Sequence, residues 1–407
     1  MPIAFRLTLM LAFVLAAAAP AAAQYDYNGQ PINYATAATS DPVARLNKKI
    51  VAGKVTLDRH HEVGYLPAVL KELNIAQSSQ VMVFTKTSLQ RQVISPKTPR
   101  AIYFDDETYI GYCQDGEVLE VATTDPNLGT VFYTLDQHAK SPRFVREGDN
   151  CTQCHAGSAT RDIPGLMVRS VFPDPRGNPI LNAGTKLTTH ESPFGQRFGG
   201  WYVSGTHGGH DRQPHLGNRI GKDRDDATCA DPAAAADVTD LSKFFDTSFY
   251  LTPHSDIVAL TVLAHQAEAH NLMNRANYAA AYALRDARVM NEALGRPGGE
   301  MSESTLRRIN SPAEALLRYM LFSDEAKLEA PLAGTTDFAK EFAARGPRDS
   351  KGRSLREFDL KTRTFKYPLS YLIYSKGFDG LPDLTRAYVY KRLKEVLTGK
   401  DQDKAFA

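Results

Sequence analysis

The chain has 407 residues, of which 43% are hydrophobic and 23% are charged, with 28 glycines, 23 prolines and 4 cysteines. This balance is typical of a globular protein, and it excludes a disordered chain, a collagen-like chain and a disulfide-dense mini-protein. The 48 basic and 46 acidic residues give a formal net charge of only +2. A charge so close to balance does not indicate a nucleic-acid partner, and we expect none.

The N-terminus has the three-part pattern of a secretory signal peptide. Arg6 precedes an apolar run from Leu7 to Ala19, and small residues follow at 21–23. This run is shorter than the roughly 20 residues that a transmembrane helix needs. We therefore expect residues 1–23 to be removed, and the mature protein to be periplasmic or otherwise exported, with no stable membrane anchor.

Three regions follow the signal peptide. Residues 24–45 are polar, small and interrupted by proline, which predicts a flexible leader. Residues 46–240 are β-rich, because short runs of Val, Ile, Tyr, Phe and Thr alternate with turn formers across 81–136. That alternation predicts an antiparallel β-meander. Residues 241–407 are predicted to be helical, so the expected fold class is α+β with a helical C-terminal half.

The helices of the C-terminal half have recognisable ends. The first is predicted to begin near His254 with Ser255 as its N-cap, to be buried on every face, and to break near 274–277. The run 311–314 is a capping box with proline at the first helical position, which predicts the start of a second helix. A third is predicted over 382–398.

The residues that carry chemistry are Cys151-Thr152-Gln153-Cys154-His155, which lie between polar loop residues. Two thiols at this spacing can each add to one vinyl group of a haem, forming two thioethers, and the histidine that follows can bind the iron. With so few cysteines, a chance match is expected on the order of once in a thousand chains. The sequence therefore predicts one covalently bound haem c, attached through Cys151 and Cys154, with His155 as the proximal iron ligand.

Three other roles for the motif compete with haem attachment. A redox dithiol would be expected at the start of a helix that follows a strand, and here a meander precedes the motif. A structural zinc site would need Cys113 and Cys229 as further ligands, although both are distant in sequence. A simple Cys151–Cys154 disulfide would leave His155 without a role. Cys113 and Cys229 are equally consistent with a disulfide between them and with two unrelated thiols.

The second axial ligand of the iron decides the function, because a closed iron shuttles electrons whereas an open one binds small ligands. His207 and His215 are candidates, since they lie with His210 in a Gly-rich segment that could fold over the haem. Met167 is a third candidate, predicted to lie on a strand. Ordinary roles for these residues are a solvated loop for the histidines and core packing for the methionine.

Further residues near the motif could contact the haem. One or two of the surrounding arginines are expected to compensate the haem propionates, and Trp201 is expected to pack either on the haem or in the core. These arginines are Arg143, Arg146, Arg161 and Arg169.

The helical half contains His265, Glu268 and His270 in a pattern that superficially resembles a metal site. His265 and Glu268 share a helix face, whereas His270 points about 140° away from His265. A zinc-protease site needs two histidines four residues apart, so that interpretation fails. A buried pair of His265 and Glu268 is expected instead.

The motif at 151–155 makes the chain resemble exported mono-haem cytochromes c. The segments FTKTSLQRQVISPKTPRAIYF, PGLMVRSVFPDPRG and LTPHSDIVALTVLAHQAEAHNLMNRANY also resemble those of a largely uncharacterised group of bacterial cytochrome-c-type proteins. The first resemblance implies electron transfer with a redox partner protein or a small electron donor or acceptor. The second implies no established activity.

The chain departs from the small, all-helical class I cytochromes c, because a β-meander precedes the motif and a large helical half follows it. It is also far longer than a haem carrier needs to be. Two alternatives to a carrier therefore remain: a peroxidase-like haem oxidoreductase with an open distal site, and a haem-based binding or sensor protein.

Overall fold

The structure is a computed structural model that describes residues 25–208, 215–230, 236–401 and 403–406. It is an α+β fold, as predicted, and not a small all-helical one. The strands within these ranges are β1 Val81–Val83, β2 Arg100–Phe104, β3 Thr108–Tyr112, β4 Val118–Asp125, β5 Gly129–Asp136, β6 Phe144–Glu147, β7 Arg169–Val171, β8 Thr185–Leu187 and β9 Trp201–Tyr202. The helices are α1 Pro42–Val51, α2 Leu66–Leu73, α3 Asp149–His155, α4 Ile257–Ala293, α5 Glu303–Met320, α6 Phe338–Ala344, α7 Lys376–Asp379 and α8 Asp383–Leu397.

The predicted antiparallel meander is confirmed as the centre of a larger sheet. The sheet has seven strands in the order β6-β5-β4-β3-β2-β1-β9, and every neighbouring pair is antiparallel. Strands β1 to β5 occupy the predicted stretch, and β6 extends it along the chain. Strand β9 returns from a distant, Gly-rich segment to pair with β1, which local sequence patterns did not predict.

Alternate residues of each strand face opposite sides of the sheet, as the strand period requires. One face carries Tyr103, Ile110 and Val121, which are buried in an apolar cluster with residues of α1 and α2. The other face carries Ile102 and Tyr109 and packs towards α4. The sheet thus separates the layer of α1 and α2 from a second layer in which residues 151–155 lie.

Helix α4 is the long buried helix expected in the C-terminal half, with two differences from the prediction. Its N-cap is Asp256, whose Oδ1 accepts hydrogen bonds from the backbone N–H groups of Val258 and Ala259 at 2.8 and 3.2 Å. Ser255 instead donates its hydroxyl to the carbonyl of Tyr202, which connects the helix entrance to the sheet.

The predicted break in α4 at 274–277 is also wrong, because the helix runs unbroken through these residues. The side chains of Asn274 and Asn277 donate outwards, to Thr130 Oγ1 and to the carbonyl of Asn127, each at 2.9 Å. They therefore do not compete for the backbone of their own helix, which is how asparagine usually disrupts one.

The second predicted helix begins earlier than the capping box at 311–314 indicated. Ser302 is the N-cap of α5, and its Oγ accepts from the backbone N–H of Thr305 at 3.1 Å. Pro312 consequently lies inside the helix, at the cost of one helical hydrogen bond. The last helix, α8, matches its predicted span closely.

The N-terminal segment differs from the expected flexible leader over the residues that the structure describes. Tyr34 is only 1% exposed, and its hydroxyl donates to the carbonyl of Thr130 at 2.9 Å. Asp41 caps α1 by accepting from the backbone N–H of Ala44 at 2.9 Å. The polar composition concealed this packing, which depends on tertiary contacts with β5. The predicted signal peptide, residues 1–23, lies outside the described residues.

The largest apolar cluster contains residues from both the β-rich and the helical regions. Val81, Val83 and Trp201 of the sheet pack in one cluster with residues of α4, α5 and α8. The helical half is therefore in direct contact with the sheet face that carries the motif. Among the described residues, none of the helices is long and apolar enough to cross a membrane.

We expect Asp256→Ala to destabilise the protein more than the removal of an ordinary N-cap. Besides capping α4, Asp256 Oδ2 accepts from the backbone N–H groups of Thr335 and Thr336, each at 2.9 Å. The loss should be about 2–4 kcal/mol in the free energy of unfolding, measured with urea. The matched control is Ser302→Ala, which removes the cap of α5 and should cost about 1 kcal/mol. Equal losses in the two variants would contradict this expectation.

Candidate functional site

The predicted haem-attachment motif forms the short helix α3, rather than the loop that its polar neighbours indicated. Cys151 and Cys154 are one helical turn apart and therefore share a face. Cys151 is half-buried and Cys154 is exposed. His155 is the last residue of α3 and follows Cys154 directly in the chain.

His155 is held by one hydrogen bond that fixes its tautomer. Its Nδ1 lies 2.9 Å from the carbonyl oxygen of Gly165, and its ring packs on Phe132 with the centroids 4.9 Å apart. Since a carbonyl can only accept, Nδ1 must carry the proton, and Nε2 is left as the nitrogen that can bind a metal. Burial lowers the pKa of His155, which favours the neutral, ligating form of the ring.

The carbonyl of Gly165 is positioned by helix α4. The amide of Asn271 accepts from the backbone N–H of Leu166 and donates to the carbonyl of the same residue, each at 2.8 Å. The amide of Asn274 donates to the carbonyl of Pro164 at 3.1 Å. A Cβ at Gly165 would lie 2.4 Å from Asn271 Oδ1, so only glycine allows this close approach. The loop that orients His155 is thus clamped to the helical half.

A cavity of about 710 Å³ opens beside the motif. Its walls are the α4-facing side of the sheet, helix α3, the segments 86–92 and 166–169, and helix α4. Cys151, Cys154 and His155 all line it, together with Phe132, Met167 and Trp201. Its volume lies in the range of sites that bind cofactors and other small molecules.

The cavity is lined by more cations than anions. Arg100 and Glu120 form an ion pair at 2.7 Å across Gly111, where a Cβ would lie 2.3 Å from Nη2 of Arg100. The charges of Arg100 and Glu120 therefore neutralise each other. The remaining cations of the lining are Lys86, Arg91 and Arg169. They are available to an anionic ligand.

Among the four arginines of which one or two were expected to contact propionates, only Arg169 lines this cavity. Arg146 donates to the carbonyls of Tyr34 and Ala37, and Arg161 pairs with Glu268 of α4. Arg143 is exposed. Trp201 is 4% exposed, which agrees with its predicted role in the core, and its indole N–H donates to the carbonyl of Arg169 at 2.8 Å. It also lines the cavity.

The three candidates for the second axial ligand lie in two different places. Met167 lines the cavity, but it precedes β7 and so does not lie on a strand as predicted. His207 and His215 are each 1% exposed, and their rings pack edge to face with the centroids 4.7 Å apart, beside Phe194 and outside the cavity lining. Both are therefore buried, whereas the Gly-rich sequence around them indicated an open loop. His210, the third histidine of that segment, lies outside the described residues.

The histidines of α4 have separate partners, so the expected pair of His265 and Glu268 does not form. His265 Nδ1 lies 2.8 Å from Nδ1 of His190, and its Nε2 lies 2.7 Å from Ser370 Oγ. Glu268 pairs with Arg161 instead. Within the described ranges, no group of three or more His, Cys, Asp or Glu side chains could hold a metal ion together.

The thiols also bear on the alternatives to haem attachment. Burial, reinforced by Glu147 and Glu120, raises the pKa of Cys151 to about 12, which is opposite to the lowered pKa of a catalytic redox thiol. Cys113 is a buried free thiol at the end of β3, so the structure contains no Cys113–Cys229 disulfide.

Sequence reasoning missed Lys86, Arg91, Arg100 and Tyr109, which line the cavity, and Asn271, which clamps the loop. Arg100 of β2 and Tyr109 of β3 lie on the side of the sheet that faces the cavity. The alternation of residues along a strand does not say which side this is, because that depends on the register and on what packs against the sheet. Asn271, Asn274 and Asn277 recur every three residues along one helix, and this spacing was a usable signal of a polar stripe.

Comparison with protein-family models, with curated proteins and with solved structures found no match in any of the three.

We expect Asn271→Leu to loosen the loop that orients His155. The substitution leaves the buried N–H and C=O of Leu166 without partners, which should lower the free energy of unfolding by about 1–3 kcal/mol. It should also speed amide hydrogen exchange at Leu166. The control is Asn277→Leu, which removes one hydrogen bond from the same helix to Asn127 and should leave the exchange of Leu166 unchanged. Equal exchange at Leu166 in both variants would show that Asn271 does not hold the loop.

Proposed function

We propose that this protein is an exported c-type cytochrome that binds one haem covalently through Cys151 and Cys154, ligates the iron with His155, and transfers electrons. The observation that supports this most directly is that both thiols and the neutral His155 line one cavity of cofactor size. Export rests on the signal-peptide pattern of residues 1–23. The partner is a redox protein or a small electron donor or acceptor.

The residues of the cavity fit a covalently held porphyrin in three respects. The thiols of Cys151 and Cys154 supply the two attachment points, and the imidazole of His155 presents Nε2 while its Nδ1 is occupied by Gly165. Lys86, Arg91 and Arg169 can compensate the two propionates through charge-assisted hydrogen bonds. The haem itself supplies an iron that cycles between two oxidation states.

The remaining residues control access to the site. Leu166, Val168 and Leu263 provide apolar walls, which keep water away from the centre. Leu89 and Leu181 belong to the same lining but are 51% and 80% exposed, so the cavity reaches the surface beside them. A redox partner can approach at this edge without any rearrangement of the core.

A second candidate function is a peroxidase-like haem oxidoreductase. It is favoured by Tyr109, a buried phenol that lines the same cavity and is hydrogen-bonded to a histidine. This function requires an open position on the iron. A sensor of small ligands would need the same open position, so the ligand on the second face separates the carrier from both alternatives.

We expect the protein, produced with a c-type haem maturation system, to retain haem after acid–acetone extraction. Replacement of both Cys151 and Cys154 by serine should abolish this retention, because no thioether can then form. The matched control is Cys113→Ser, which removes a cysteine outside the motif and should leave retention intact. Complete extraction of haem from the unaltered protein would refute the covalent-attachment proposal.

We expect Met167→Ala to convert the ferric haem from low spin to high spin, if the protein is a carrier with a closed iron. The thioether of Met167 is the predicted axial side chain that lies in the cavity. The visible absorption spectrum reports the change. His207→Gln and His215→Gln are the controls and should leave the spin state unchanged, because both histidines lie elsewhere. A high-spin spectrum of the unaltered protein would favour the open-site functions instead.

A further inference from the structure

Tyr109 and His270 form a buried hydrogen-bonded pair at the wall of the cavity. The hydroxyl of Tyr109 lies 3.0 Å from His270 Nδ1, and the amide nitrogen of Gln266 donates to the same hydroxyl at 2.7 Å. Because Gln266 supplies a donor, the phenol is free to donate its own proton to Nδ1. Tyr371 fixes the orientation of Gln266, since its hydroxyl donates to Oε1 of that amide at 2.6 Å.

The pair is neutral at rest. Burial lowers the pKa of His270 to about 4 and raises the pKa of Tyr109 well above its usual value, so neither group is charged at neutral pH. A phenol that loses an electron becomes strongly acidic, and in a buried site its oxidation is feasible only when a base takes the proton. The bare Nδ1 of His270 is a base at hydrogen-bond distance.

We infer that Tyr109 is a one-electron donor to the cofactor in the cavity, with His270 as the acceptor of its proton. This inference rests on the proposed haem with an open position on its iron, as in the second candidate function, because peroxide must reach the iron to oxidise it. After hydrogen peroxide has oxidised the haem, the O–H bond of Tyr109 breaks, one electron passes to the haem, and the proton forms an N–H bond at His270 Nδ1. The products are a neutral phenoxyl radical and an imidazolium ion. An external one-electron reductant, such as a small phenol, restores Tyr109 when the proton returns from His270.

A purely structural role for the pair would be to connect β3 with α4. That role needs only one donor and one acceptor, whereas the redox role needs a basic nitrogen. His270→Gln separates the two, because the amide oxygen can still accept from Tyr109 but cannot take the proton. Tyr103→Phe is the matched control for Tyr109→Phe. Tyr103 is a buried tyrosine of the neighbouring strand whose hydroxyl donates to Gln80, on the other face of the sheet.

The test uses the haem-loaded protein, mixed with one equivalent of hydrogen peroxide and frozen within milliseconds for electron paramagnetic resonance. We expect a tyrosyl radical in the unaltered protein and in Tyr103→Phe. The signal should fall about tenfold or more in Tyr109→Phe and in His270→Gln, the range expected for the loss of a positioned proton acceptor. An unaltered protein without the radical, or variants that keep the full signal, would overturn the inference.

A haem-free measurement keeps this inference separable from the proposed function. If haem is not retained, the proposed function fails, and azide radical generated by pulse radiolysis then serves as the one-electron oxidant of the protein. The tyrosyl yield should be lower in Tyr109→Phe than in Tyr103→Phe, and the radical should be shorter-lived in His270→Gln than in the unaltered protein. Equal yields and lifetimes would show that the pair is structural only.

Discussion

The hydrogen bond between His155 and the carbonyl of Gly165 is the contact on which the rest of the site depends. It decides which nitrogen carries the proton, and therefore which one faces the cavity. The carbonyl is held in place by Asn271, which bonds both backbone groups of Leu166, and by Asn274, which donates to the carbonyl of Pro164. Asn271 in turn belongs to a buried helix of 37 residues, whose first turn is capped by Asp256. A helix more than one hundred positions further along the chain thus fixes the orientation of the imidazole at the end of this short motif.

The sheet contributes to the same cavity through its period of two. Tyr109, Gly111, Glu120 and Phe132 face α4, whereas their immediate neighbours along the strands face the α1 and α2 layer. A register shift of one residue would exchange these sets and replace lining residues such as Glu120 by core residues such as Leu119. Gly111 has a particular place in this pattern, because its missing side chain gives Arg100 a path across the sheet to Glu120. These residues therefore line the cavity only in the observed strand register.

The sequence predicted the motif, the meander and the helical half because each has a local physical signature: fixed thiol spacing, alternation with turn formers, and apolar helical runs. It failed where tertiary contacts decide. The box at 311–314 and Ser302 have similar capping chemistry, but Ser302 is the N-cap of α5, which packs on α4, and Pro312 lies inside the helix. His207 and His215 looked solvated because glycines surround them, but Phe194 and Phe198 bury them. Arg100 and Lys86 line one cavity because of the strand register and the folding of a loop. Neither can be recognised from a short stretch of sequence.

These contacts give a physical reason for the length of the chain. A carrier needs a ligated iron, apolar walls and an exposed edge, and Met167, Leu263 and Leu181 can meet those needs. It does not need a phenol paired with a buried base. Burial removes His270 from water, which costs free energy and keeps its ring neutral. Without His270, the hydroxyl of Tyr109 would keep only its hydrogen bond from Gln266. The same helix that clamps the loop behind His155 also supplies that base to Tyr109. The helical half thus contributes to the cavity in two ways: it fixes the loop that orients His155, and it places His270 at hydrogen-bond distance from Tyr109.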